Sequence, residues 1–139
     1  MDVQINYWAV LLAAASSMVV GSIWYAKPVF GNVWLKLSKI DQKKGKAMMG
    51  PVMGLTFVMS LLTAYILAHL TALAHAFFGN SYFYDAVSTA FWVWLGLVVT
   101  RIVTHNIFDQ RPAKLTVLAV GNELVTIVVM GLVIGLVHP

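Results

Sequence analysis

The sequence predicts an all-α polytopic membrane protein: a bundle of four transmembrane helices, a short amphipathic helix in the interface between spans one and two, and both termini outside the cytoplasm. Three observations carry that reading. First, 60% of the 139 residues are hydrophobic and only 10% are charged, with a mean hydropathy of +0.84. A soluble domain has roughly 45–50% apolar and about 25% charged residues, so lipid must be the solvent for most of this surface. Second, four long stretches are nearly free of charge. Third, the basic residues gather on one side of those stretches. The length suits a single transmembrane domain, residues 1–139.

Each span needs about 20 helical residues at ~1.5 Å each. The first is placed at about residues 7–26, an uncharged run with Tyr7-Trp8 at one end and Trp24-Tyr25 at the other. The two tryptophans are sixteen residues apart, ~24 Å along a helix and close to the separation of the two interfacial aromatic belts. Ala13-Ala14-Ala15 looks like a signal-peptide processing site, but no positive charge precedes the apolar run, so it reads as a retained span. Lys46 and Asp85 bracket 38 uncharged residues, enough for one span and a wide loop. The second span is placed at about 47–70, with 74–84 as a loop around the turn chemistry of Gly79-Asn80-Ser81. The third is placed at about 86–108, with Arg101 as its one charge, and the fourth at about 115–137, with Glu123 as its one charge.

Orientation follows from lysine and arginine. Lys27, Lys36, Lys39, Lys43, Lys44 and Lys46 lie between spans one and two, and Arg111 and Lys114 between spans three and four. Eight of the nine basic residues thus fall on one side, which the positive-inside rule makes cytoplasmic. In the first of these loops Phe30, Val33, Trp34, Leu37 and Ile40 share one face of a helical wheel, and Lys36, Lys39, Lys43 and Lys46 gather opposite. A helix over about 31–42 would lie in the interface, with Trp34 at headgroup depth and Lys36, Lys39, Lys43 and Lys46 on lipid phosphates. The plainer reading is a solvated basic loop that only sets topology.

Without a hydrophobic effect between them, helices in lipid pack by close approach of small residues. Ala13, Ser17 and Gly21 form such a stripe in span one, Gly50 and Gly54 in span two, and Gly131 and Gly135 in span four. Packing within the monomer is the plain use, and packing between copies the alternative.

The charged pair is the sharpest feature. Arg101 lies eleven residues before Pro112 and Glu123 eleven after it, so in an antiparallel hairpin they reach one depth. A lone charge there costs on the order of 2.5–3.5 kcal/mol by insertion scales, so the two are expected to face inward and pair. Thr104 and His105 share the Arg101 face, and Thr116, Ala119 and Thr126 the Glu123 face, with Asn106 and Asn122 flanking. This polar seam is either a structural clamp or part of an ion, proton or ligand path. His69 and His75 lie toward the external side, too far from the seam to complete a relay.

Catalytic patterns are absent: no His-Glu-x-x-His, nucleophile elbow, phosphate-binding glycine loop or carboxylate pair appears. With no cysteine there is neither a disulfide nor a thiolate site. No enzyme, metal or cofactor is expected. The net charge of +4 points to anionic lipid rather than nucleic acid.

Asn6-Tyr7-Trp8-Ala9-Val10, Gly21-Ser22-Ile23-Trp24-Tyr25, Phe30-Gly31 and Trp34-Leu35-Lys36 resemble a bacterial domain-of-unknown-function family of small four-span membrane proteins. Gly-x-x-Trp-Tyr followed by Phe-Gly-x-x-Trp is the distinctive part of the resemblance. It implies a bacterial or archaeal cytoplasmic membrane and no particular activity. Two functions are therefore expected as alternatives. One is a non-catalytic module that forms a homo-oligomer or binds another membrane protein. The other is a pathway for a small solute, ion or proton along the Arg101–Glu123 seam.

Overall fold

The computed structural model describes residues 3–139. Its helices are α1 (Tyr7–Trp24), α2 (Asn32–Ser38), α3 (Gln42–Ala47), α4 (Met49–Phe78), α5 (Tyr82–Val93), α6 (Thr100–Phe108) and α7 (Ala113–Leu136). Two π-wound segments intervene, Lys27–Gly31 before α2 and Trp94–Val99 joining α5 to α6. Four helices are long and apolar enough to cross a membrane: α1, α4, the continuous run Tyr82–Phe108, and α7. Around the bundle α1 packs on α4, α4 on α5, α5 on α7 and α7 on α1, so chain neighbours are also spatial neighbours and the ring closes through the termini. One end carries the basic loops and is called here the basic end. The other carries the Gly79 turn and the chain termini, and is called the terminal end.

Local signals explain most boundaries. The Asn6 side chain accepts from the Trp8 amide at 3.0 Å, capping α1, and its Nδ2 donates to the Val137 carbonyl at 3.1 Å. One residue therefore starts the first span and ties it to the end of the last. The second span is longer than the sequence suggested. It runs to Phe78, and only Gly79–Ser81 separates it from α5. The expected loop over 74–84 is almost wholly helical, because Ala72, Ala74 and Ala76 sustain the helix. The stop comes from Gly79, whose φ of 67° takes the left-handed conformation after the last turn. Ser81 then caps α5 by accepting from the Tyr84 amide at 3.3 Å.

The amphipathic stretch over 31–42 is broken as well. α2 ends at Ser38, Lys39 takes a φ of 51°, and Asp41 starts α3 by accepting from the Lys43 and Lys44 amides at 3.0 and 3.2 Å. The Asp41 cap competes with continuation of one long helix.

The core is built from small side chains. Ala13 and Ala14 of α1, Ala64 of α4, and Ala86 and Ala90 of α5 are all fully buried. Larger Leu67, Ile127, Met130 and Ile134 fill the space between them. Gly131 and Gly135 supply the closest approach: a Cβ on Gly131 would sit 2.8 Å from Ala90 Cβ, and one on Gly135 would sit 2.9 Å from Phe83 Cα. α5 and α7 can touch only because those atoms are missing.

Candidate functional site

The expected seam does not assemble. Arg101, Thr104 and His105 share a face as their spacing requires, but that face points out of the bundle and all three are exposed. The half-buried face of α6 is Ile102, Val103 and Asn106, and Asn106 Nδ2 donates to Thr116 Oγ1 of α7 at 2.9 Å. Thr104 spends its hydroxyl on the Thr100 carbonyl of its own helix, at 2.7 Å. Among the described residues the close acid–base contacts are His75–Asp85 and Asp109–Arg111, so Arg101 and Glu123 do not pair. The reason is rotational. Each residue turns a helix by about 100°, and π winding inserts extra residues into a turn, so equal depth does not imply equal facing. Arg101 sits seven residues before the helix end at Phe108, ~10 Å, within reach for its long side chain to bring the guanidinium toward the interface.

Glu123 and Asn122 are half-buried on α7, and Asn122 Oδ1 has no hydrogen-bond partner among the described residues. Their surroundings are aromatic rather than basic. Burial first, and the Glu123 carboxylate second, push the Tyr25 phenol above its ordinary value. Here the distinctive glycine and aromatic residues of the N-terminal third come together. Trp24 packs on Phe30 with ring centroids 4.6 Å apart, and Tyr25 on Trp34 at 5.4 Å. Gly31 donates its amide to the Ala26 carbonyl at 3.0 Å, and a Cβ on it would lie 2.8 Å from the Ala26 carbonyl carbon. A Cβ on Gly121 would meet the Trp24 indole at 3.1 Å. The chain thus folds back at the basic end in a knot that only glycine at 31 permits. Trp34, expected among headgroups, is half-buried against Tyr25, whereas Lys36, Lys39, Lys43 and Lys46 are exposed.

The small-residue stripes divide into used and unused parts. Ala13 and Ser17 are buried, and Gly131 and Gly135 are buried against α5. A Cβ on Gly21, Gly50 or Gly54 would meet nothing within 4 Å.

The polar site that does assemble lies at the terminal end. Asp85 is 3% exposed. His75 Nδ1 of α4 lies 3.1 Å from its Oδ2, and Asn80 Nδ2 of the turn donates to its Oδ1 at 3.0 Å. The Tyr82 ring stacks edge-on against His75 at 5.1 Å and tilts against His138 at 5.5 Å. Asp85 also sits in the first turn of α5, where the helix dipole favours a carboxylate. His75 lies away from the Arg101–Glu123 region and is bonded to Asp85, an acid to which the sequence assigned no role. A signal was present: His75 lies five residues before Asn80 and Asp85 five after. Among the described residues no three His, Asp or Glu side chains gather in a way that could hold a metal.

The matching family is described as a protein of unknown function, DUF1761, and its profile covers residues 8–135. The chain belongs to this family. No curated protein and no solved structure matches it.

Proposed function

From that membership and this geometry, we propose that the chain is a non-catalytic membrane module that binds a further transmembrane helix, from a second copy or another membrane protein. The carrying observation is the open continuation of a packing face. On α4, Ala68 and Ala64 are buried and Leu61 and Phe57 half-buried, and the same helical stripe runs on to Gly54 and Gly50, opposite which there is empty space. On α1 the buried Ala13 and Ser17 continue to Gly21, again with nothing opposite. Gly21 is near the end of α1 and Gly50 near the start of α4, so the three glycines lie at one level, near the basic end. Two faces suited to close helix approach, both unoccupied, favour insertion of a partner helix. Met48, Met49, Met53 and Met59 around this region are exposed, and methionine adapts to varied partners. The basic end is placed toward the cytoplasm of a prokaryotic cell, with its lysines on anionic headgroups.

Oxidative crosslinking in native membranes tests this. Cysteine at Leu55, which is 63% exposed on the same half-helix, is expected to crosslink to a second copy or to another membrane protein. Gly50→Leu with Gly54→Leu should abolish the crosslink without lowering the melting temperature. A crosslink that survives the double change would exclude this face as the docking surface.

A further inference from the structure

We propose that the groove between α4 and α5 at the terminal end binds a monocationic amphiphile, a primary ammonium carrying a single alkyl chain, with Asp85 as its counter-anion. The groove has a volume of about 410 Å³ and is lined by Asp85, Ser88, Thr89 and Trp92 of α5, and by Leu70, Ala74 and Phe78 of α4 among others. That volume suits a small-molecule ligand. The α5 residues recur at i, i+3, i+4 and i+7, so one face of the helix presents acceptors at its head and an aromatic ring below. Leu97 also lines the groove and lies twelve residues beyond Asp85, ~18 Å down the helix, so the space runs deep enough for a medium-length chain. Phe78, Trp92 and Leu97 are 67%, 65% and 62% exposed, which leaves the groove open along the lipid-facing side.

The charge balance selects the ligand. Asp85 is buried at the terminal end, whereas eight of the nine lysines and arginines are at the basic end and the ninth, Arg101, is in α6. The ionisable partner of Asp85 among the described residues is His75, 3.1 Å from Oδ2. No lysine or arginine among the described residues pairs with Asp85, and a bound cation would offset the cost of holding a charge at so buried a position. His75 and Asn80 occupy one acceptor position on each oxygen, whereas a carboxylate offers about four. An ammonium can use the remainder, with the Ser88 and Thr89 hydroxyls as further acceptors. Tyr82 and His138, the other titratable groups of this cluster, bring no permanent charge. A phospholipid amine is disfavoured, because among the described residues no lysine or arginine lines the groove to receive its phosphate. This binding is independent of the helix-docking face at the basic end.

The test uses the full chain in phosphatidylcholine nanodiscs with radiolabelled dodecylamine. Saturable binding near one per chain is expected. Asp85→Asn and Ala74→Phe, the latter narrowing the groove without touching the His75–Asp85 contact, should each weaken it at least tenfold. Arg101→Ala should leave it unchanged. Dodecanol, of equal length and no charge, should compete at least tenfold less well than unlabelled dodecylamine. Unchanged binding by Ala74→Phe, equal competition by dodecanol, or displacement by phosphatidylethanolamine as effective as by dodecylamine would overturn the proposal. Should Asp85→Asn fail to fold, the groove variant and the dodecanol competition decide.

Discussion

The terminal-end and basic-end halves of the bundle have the same kind of sequence and opposite packing. At the terminal end α5 and α7 touch through Gly131 and Gly135, Ala64, Ala86 and Ala90 are fully buried, and Asp85 is held by two donors. At the basic end Gly50 and Gly54 face open space, and α6 presents Arg101, Thr104 and His105 outward. Both halves carry a Gly-x-x-x-Gly, and the long apolar helices carry the acids Asp85 and Glu123. Spacing alone does not separate them. In lipid an apolar helix face is equally content against acyl chains, so a small-residue motif closes an interface only where a second surface matches it in shape.

Substitutions can break this comparison. The largest contrast is between the two glycine pairs. Gly131→Ala with Gly135→Ala forces methyl groups into Ala90 and the Phe83 backbone and should cost about 2–6 kcal/mol, since overpacking at one site typically costs about 1–3. Gly50→Ala with Gly54→Ala should instead be neutral or stabilising by up to about 1 kcal/mol per residue, the helix-propensity gain. Unfolding in mixed micelles measures both, and equal losses would mean the two pairs are packed alike. Next, Asp85→Ala leaves His75 and Asn80 without their acceptor. It should destabilise by about 1–3 kcal/mol, the cost of an orphaned buried donor.

A smaller effect sharpens the middle of the bundle. Trp94 Nε1 donates to the Val120 carbonyl at 3.0 Å, from the first residue of the π-wound segment. Trp94→Phe should lose about 0.5–1.5 kcal/mol. The smallest change is expected at Glu123. With no ion partner, Glu123→Gln should not lower stability by more than ~0.5 kcal/mol. A loss of several kcal/mol on melting would show that Glu123 and Arg101 pair after all. Topology is separable from all of these. Cysteines at Lys43 and at Phe77, both exposed, should label from opposite sides of intact cells.

Two hairpins show how far symmetry arguments reach. Arg101 and Glu123 are each eleven residues from Pro112, and His75 and Asp85 each five from Asn80. Only the second pair meets. Five residues are ~7 Å of helix and little more than one turn, so the turn still holds the two helices close and in register. Eleven residues are about three turns, over which helix divergence and the π-wound Trp94–Val99 add their rotations. The aromatic knot is a mixed case. Trp24, Tyr25, Phe30, Gly31 and Trp34 were visible as a pattern, but the contact of Gly31 with Ala26 is a backbone event that no side-chain periodicity reports.

By itself the sequence determined what depends on transfer from water to lipid: four apolar helices, their order, and the confinement of lysine to one end. Those quantities add up residue by residue, so composition along the chain suffices. It determined the Gly79 and Ser81 turn as well, because caps are chosen by local chemistry. Only the tertiary structure decided which glycines are filled, which face of α6 turns inward, and which acid is buried with a partner. Those outcomes rest on rotation about helix axes and on the fit of one surface to another. Neither is a sum over residues, and a single extra residue in a turn changes both.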